Sequence, residues 1–249
     1  MDGKRRTTPL ARTCEVPHAC PAPLRLKVLS HAPWFAGLSA EEIEAIDRRM
    51  RVSGYAEGET VYRAGAPATH LFILATGRVK VLRPSLDDGE VLVDVITPGA
   101  MFGSLAALGN SACPDTARTL TVSCALRLSA EGFREVLRRH PGVALAVLDD
   151  MAARLEASQQ AMRRLAGGTV EQRVAATLLT LAGKLGEPRG DTVLLQVPLT
   201  RSDLAAMTGT TTESVSRTLS RLRRDGVVST GRRWTALTDP ARLARIARG

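Results

Sequence analysis

Thr210-Thr211-Thr212-Glu213-Ser214-Val215-Ser216-Arg217-Thr218-Leu219-Ser220-Arg221-Leu222-Arg223-Arg224 carries a helical pattern with two different faces. Val215, Leu219 and Leu222 recur at i, i+4 and i+7, an apolar stripe able to close over a small core. Glu213, Ser216, Arg217 and Ser220 lie together on another face. Thr210 followed three residues later by Glu213 reads as a capping box that starts the helix. Upstream, Thr200-Arg201-Ser202-Asp203-Leu204-Ala205-Ala206-Met207 reads as a second capped helix, with Thr208-Gly209 as the turn between the two. Two short helices around a glycine-containing turn are a helix-turn-helix, whose second helix enters a DNA major groove. An i,i+4 Glu–Arg pair is also common on plain solvated helices. Context separates the two readings: Val227-Val228-Ser229-Thr230-Gly231-Arg232-Arg233-Trp234-Thr235-Ala236-Leu237 alternates around a glycine turn as an arginine-rich hairpin, a wing.

Composition agrees with a nucleic-acid partner. The 249 residues carry a formal charge of +9, and a balance of that sign favours a polyanion such as the DNA backbone. A hydrophobic content of 44% supports real cores, while 3% aromatic makes them cores of Leu, Val and Ala. No 18-residue apolar run exists to span a membrane. Met1-Asp2-Gly3-Lys4-Arg5-Arg6 is basic, but no apolar core follows it as in a secretory signal, so a cytoplasmic chain is expected. In that compartment four cysteines point to ligands, sensors or passengers rather than structural disulfides. No nucleophile elbow, P-loop, dinucleotide fingerprint or His-Glu-x-x-His motif occurs, so an enzyme is not expected.

Four regions follow. Residues 1–37 are Pro-, Arg- and Cys-rich without a sustained period, an extension containing Cys14-Glu15-Val16-Pro17-His18-Ala19-Cys20. Residues 38–137 open with a short amphipathic helix capped by Ser39 and Glu42. From Met50 to about Leu128 this region continues as short alternating strands with glycines every several residues, and Asp87-Asp88-Gly89-Glu90 is a hairpin turn between Val79–Leu82 and Val91–Val93. Evenly spaced short strands predict a β-barrel or β-roll. Across 138–167, Ala144, Leu148, Met151, Leu155, Ser158, Met162 and Leu165 alternate by three and four residues. That is an a/d seam, satisfied either by a partner helix or by burial against the chain's own domain. Gly167-Gly168 breaks this helix, and Thr169 with Gln172 caps the next, opening a DNA-binding region at 168–249.

Gly58-Glu59-Thr60-Val61-Tyr62-Arg63-Ala64-Gly65 and Leu71-Phe72-Ile73-Leu74-Ala75-Thr76-Gly77-Arg78-Val79-Lys80-Val81 resemble the cyclic-nucleotide-binding β-roll. With the C-terminal winged helix-turn-helix, residues 38 to 237 resemble the CRP/FNR family of bacterial transcription regulators. The resemblance implies an α+β chain: an N-terminal cyclic-nucleotide-binding-like β-roll, a long dimerisation helix and a C-terminal winged helix-turn-helix. It implies a homodimer joined through Leu148, Met151, Leu155, Ser158, Met162 and Leu165, with RNA polymerase as a further partner. It also implies a DNA palindrome of TTGAT and its inverted repeat, because Glu213-Ser214-Val215-Ser216-Arg217 is the FNR-type reading face. Where the CRP type has an arginine, this chain has Thr212. Arg217 suits guanine O6/N7 and Glu213 suits cytosine N4, with Ser216 and Thr212 beside them. Arg201, Thr211, Arg221, Arg223, Arg232 and Arg233 are candidates for phosphate contacts, which position without specifying.

For the signal, cyclic-AMP-binding relatives hold phosphate with a Gly-Glu pair and an Arg-Ser pair. Here Gly103-Ser104 and Pro114-Asp115 stand in those places; proline offers no donor and aspartate repels phosphate, so cyclic AMP is not expected. FNR-branch members ligate a [4Fe–4S] cluster with cysteines. By that resemblance Cys14, Cys20, Cys113 and Cys124 would be the four thiolates, although the cysteine expected near Ala11 is absent. A disulfide, for instance Cys113 with Cys124, or a small effector in the β-roll would switch the same fold without a metal. Zinc on His18 has the wrong spacing, and His18, His31, His70 and His140 show no setting diagnostic of haem. A redox carrier or interaction protein without specific DNA binding is the reading from another class.

Overall fold

A computed structural model describes residues 20–84, 90–103, 109, 111–197, 199–231 and 233–249. Cys14, His18, the turn at Asp87-Asp88-Gly89, Ser104 and Arg232 lie outside the described residues. The chain packs as two units that divide between Leu155 and Glu156.

Among its described residues, the first unit has helices α1 (Ala22–His31) and α2 (Ala40–Asp47), then eight strands, then α3 (Ala130–Arg139) and the start of α4 (Pro141–Gly167). The strands are β1 (Arg51–Tyr55), β2 (Thr60–Tyr62), β3 (His70–Thr76), β4 (Val79–Pro84), β5 (Glu90–Ile96), β6 (Met101–Phe102), β7 (Thr116–Thr119) and β8 (Ser123–Ser129). They form two four-stranded antiparallel sheets, ordered β1-β8-β3-β6 and β2-β7-β4-β5. The predicted pairing of Val79–Leu82 with the following strand is present, with Val79 opposite Ile96 and Leu82 opposite Leu92.

β3 shows why this sheet is covered on both sides. The two-residue period sends Phe72 and Leu74 to a face shared with Val79, Val81, Ile96, Phe102 and Ala117. Leu71, Ile73 and Ala75 go to the other face, against Leu29, Trp34, Phe35, Ile43, Ile46 and Phe133 of the helical layer. β8 divides likewise: Cys124, Leu126 and Leu128 point to the helical layer, Ala125 to the other sheet. Ser39 and Glu42 make the expected capping box. α1 is a difference from the sequence reading, which found no periodic segment there. Its buried residues, Val28 and Leu29, are adjacent in sequence and leave no helical stripe to read.

The second unit holds the remainder of α4, then α5 (Val170–Leu185), β9 (Gly186–Arg189), β10 (Thr192–Leu195), α6 (Arg201–Thr208), α7 (Thr212–Arg224), β11 (Val228–Gly231), β12 (Trp234–Leu237) and α8 (Pro240–Arg248). Its sheet runs β11-β12-β10-β9, so β10 extends the wing hairpin into a four-stranded layer. α5 starts at the expected Thr169–Gln172 capping box and buries Val174, Leu178, Leu181 and Leu185. Val215, Leu219 and Leu222 of α7 are at most 2% exposed, the stripe that helical spacing predicts.

Candidate nucleic-acid interface

α6 begins at Thr200, whose hydroxyl and Asp203 carboxylate form a capping box, and ends at Gly209 in the left-handed region, φ +57°. Glycine takes that conformation without the steric penalty of a Cβ. α7 then starts one residue later than the sequence reading placed it. Thr211, not Thr210, is the N-cap, and its hydroxyl accepts from the Ser214 backbone N–H at 3.2 Å. Glu213 is thereby no capping partner. Three successive threonines offer three frames, and the frame that buries Val215 prevails. Arg173 braces the turn, donating from Nε to the Thr208 carbonyl at 2.7 Å, from Nη2 to the Gly209 carbonyl at 3.3 Å and from Nη1 to the Gly168 carbonyl at 2.9 Å.

With one side of α7 buried, the other is presented whole. Glu213 and Arg217 are 79% and 72% exposed, with 3.8 Å between carboxylate and guanidinium, and Arg217 also reaches the Ser214 hydroxyl at 3.4 Å. An exposed pair this long is weak, so both side chains can turn to a base edge. Glu213, Ser216, Arg217 and Ser220, the four that helical spacing sets on one face, line one open groove of about 660 Å³ together with Arg221. Thr211 and Thr212 are exposed at the start of α7. The groove also takes in Arg224, one turn beyond Arg221, and Val170 from α5. Arg221 is ion-paired with Glu171 of α5. That pairing escaped the sequence reading because its partners lie on different helices with no local spacing to link them. Arg201 at the start of α6 is held below its ordinary value, first by partial burial and then by the nearby Arg223 charge, and remains a cation.

In the wing, Gly231 and Trp234 are paired across the two strands. The glycine therefore ends a strand instead of making the turn. Arg233 stands at φ +68°, a position where two-residue hairpins favour asparagine and glycine. Strain of this kind concentrates at functional points, and here it sets a cation at the tip.

On α4, Leu148, Leu155, Met162 and Leu165 are 63%, 61%, 57% and 47% exposed, so the apolar seam is not consumed by either unit. Ser158 is exposed as well, whereas Met151 packs against the helical core of the first unit.

The cysteines separate into two places. Cys20, just before α1, and Cys124 of β8 are 6% and 0% exposed and share one core. Their thiols hydrogen-bond, and this bond, assisted by the Arg25 charge, lowers the Cys20 thiol below its ordinary value against the opposing effect of burial. Arg25 is fixed there by a bidentate pair with Asp47 at 2.8 and 2.7 Å and a bond to the Cys20 carbonyl at 3.1 Å. Cys113 instead packs with Ala68 against Tyr62, and burial, then Asp115, pushes its thiol up. The structure thus brings Cys20 to Cys124 but not Cys113 to either. Among the described residues no group of three or more His, Cys, Asp or Glu side chains is gathered to hold a metal.

In the β-roll, Asp115 accepts a 2.8 Å hydrogen bond from the Tyr62 hydroxyl, which burial and then the Asp115 charge keep protonated. Tyr62 stacks on Phe72 and Phe102 at 5.6 and 6.2 Å. A Cβ on Gly103 would come within 2.9 Å of Phe72 and 3.0 Å of Tyr62. Aromatic rings and a carboxylate thus stand at the two segments where the resemblance places phosphate-binding groups.

The chain matches two family models, a cyclic nucleotide-binding domain over residues 53–140 and a Crp-like helix-turn-helix domain over 172–246. It is 30% identical over 226 residues to the transcriptional activator protein FnrL of Cereibacter sphaeroides, covering 88% of this chain and 89% of FnrL. The chain belongs to the CRP/FNR family of transcription regulators. Another CRP/FNR relative is the CRP-like cAMP-activated global transcriptional regulator of Mycobacterium tuberculosis, 28% identical over 222 residues, 89% of this chain and 99% of that one. The structure of FixK2 from Bradyrhizobium japonicum has the same fold, with a TM-score of 0.70 at 23% identity over 79% of this chain and 96% of that one. CRP/FNR regulators bind DNA and typically act as dimers, and they are not enzymes. The FnrL similarity supports the FNR-like branch. Among the described residues no helix is long and apolar enough to cross a membrane.

Proposed function

We propose that this regulator binds, as a homodimer, an inverted repeat of TTGAT type and controls RNA polymerase there in a redox-dependent way. The supporting observation is α7, which buries Val215, Leu219 and Leu222 and turns Glu213, Ser216 and Arg217 outward on one face. Arg217 bonds guanine O6 and N7, Glu213 accepts from cytosine N4, and Ser216 and Thr212 contact neighbouring bases. Arg201, Thr211, Arg223, Arg232 and Arg233 take phosphates, which hold register without reading sequence, and Arg221 is a candidate for the same role once it leaves Glu171. The bare seam Leu148, Leu155, Met162, Leu165 is the dimer contact, with Ser158 as its polar member and Met151 at its edge; a polar seam position lowers stability and sets register. Titration and footprinting on a TTGAT inverted repeat against a scrambled duplex test this. Equal affinity for both, or a monomer under every redox condition, overturns it.

For the signal we infer a two-thiol switch at Cys20 and Cys124, supported by their burial together in one core and by the effect of Cys124 on the Cys20 thiol. The thiols pass two electrons and two protons to a peroxide, giving one disulfide and two waters, and a cytoplasmic dithiol reductant returns them. A [4Fe–4S] cluster is the second reading, favoured by the same adjacency and supplying redox chemistry when bound. A cluster ordinarily takes four thiolates, and the described residues gather two, so Cys14 and Cys113 would have to reach the same point. Anaerobic reconstitution with iron and sulfide decides between them: a brown protein supports the cluster, and a colourless one that loses two titratable thiols on peroxide treatment supports the disulfide. A colourless protein whose thiol count and DNA affinity ignore peroxide overturns both.

A further inference from the structure

Beside the DNA-facing groove, paired with one of the arginines that line it, stands a carboxylate that base reading does not require. Glu171 is not on α7; it is the second residue of α5, directly after Val170, which lines the same groove as Arg217, Arg221 and Arg224. Its carboxylate is ion-paired with the Arg221 guanidinium, with side chains 28% and 53% exposed. The first turn of a helix is itself a favourable place for an anion, so a carboxylate there is doubly held, by α5 and by Arg221. A DNA phosphate approaching Arg221 meets an acceptor already in place and a charge of its own sign. An ion pair between partly exposed side chains is weak, so its effect on affinity is a severalfold one rather than orders of magnitude.

We propose that Glu171 is a latch that sets the DNA affinity of this regulator, holding Arg221 off the phosphate backbone and placing a negative charge beside the DNA path. This rests on the reading of α7 as the DNA-facing helix. The latch restrains the sequence-independent part of binding, since Arg221 contributes to phosphate rather than base contact. A regulator with +9 formal charge otherwise adheres to any duplex; an acidic brake on a phosphate-seeking arginine widens the ratio between cognate and random sites. The opposite role, in which Glu171 aims Arg221 at a phosphate, predicts effects of the opposite sign.

The test uses the full chain with Glu171→Gln, titrated across a range of salt against the inverted repeat and a scrambled duplex. Affinity for both duplexes should rise severalfold, more in proportion for the scrambled one. The slope of log K against log salt should steepen by about 0.9 for each further phosphate neutralised, about 1.8 per dimer. Arg221→Gln added to Glu171→Gln should abolish the rise. Glu171→Asp, too short to span the pair but still charged, should fall between wild type and Glu171→Gln, and it serves if the glutamine variant folds poorly. Unchanged or weaker binding by Glu171→Gln overturns the latch. A wild-type protein that does not distinguish the two duplexes overturns the interface reading instead, so the two failures are separable.

Discussion

Arg217 sits with its guanidinium 3.8 Å from Glu213 and 3.4 Å from the Ser214 hydroxyl, a geometry that orients the side chain without immobilising it. Arg217→Ala should cost about 1–3 kcal/mol on the inverted repeat and relax choice at one base pair. Competition with duplexes altered one position at a time checks this, and a uniform loss at every position contradicts base contact. At the other reactive residue, the hydrogen bond to Cys124 favours the Cys20 thiolate. Because the thiolate is the attacking form, the rate of peroxide-driven disulfide formation should rise with pH and level off below the ordinary cysteine value. Cys124→Ser removes the bond and the partner; the disulfide should vanish, and thiol counting by mass spectrometry before and after peroxide would show it. These two residues also mark how far a sequence can be read. The face of Arg217 was legible because helical spacing puts neighbours three and four apart. The Cys20–Cys124 contact joins a chain segment to a distant strand, and only the two-residue period of β8, which turns Cys124 toward the helices, makes it intelligible afterwards.

Helix α4 carries its apolar residues on the surface at heptad spacing, with Leu148 and Leu155 above 60% exposed. A single Leu155→Glu substitution should therefore leave each unit folded while separating the dimer, since it places like charges across the seam. Sedimentation velocity should then report a monomer, and affinity for the inverted repeat should drop toward that of a half-site. Within α7 the opposite holds: Leu222 is fully buried, and Leu222→Ala should cost about 2–5 kcal/mol of stability through lost burial and a cavity, read in chemical denaturation. Elements with a clean period and a cap, such as α5 and α6, were legible in sequence. α1 was not, for its two buried residues are consecutive. The start of α7 was misplaced by one residue because neighbouring threonines are equivalent as caps, and tertiary burial chose among them.

At the scale of the whole molecule, the β-roll and the winged helix-turn-helix were legible because turn glycines, strand alternation and helix caps agree along the chain. Pairings across the chain were not, including the joining of β10 to the wing and the seat of Cys113 beside Tyr62, since neither leaves a local pattern. The charge of +9 predicts binding that weakens steeply with salt on any duplex, while the cognate-to-scrambled ratio changes far less; parallel titrations on the two duplexes would show it. The same chain contains two tryptophans, one in each unit. Trp34 is 4% exposed, stacked on Phe133 at 5.7 Å and bonded through Nε1 to Asp150 of α4 at 3.1 Å, while Trp234 stands beside the tip of the wing. The regulator therefore comes with its own pair of fluorescent reporters. Silencing one by substitution to phenylalanine leaves an emission signal that follows events beside the dimer helix, or events at the wing, without any added dye.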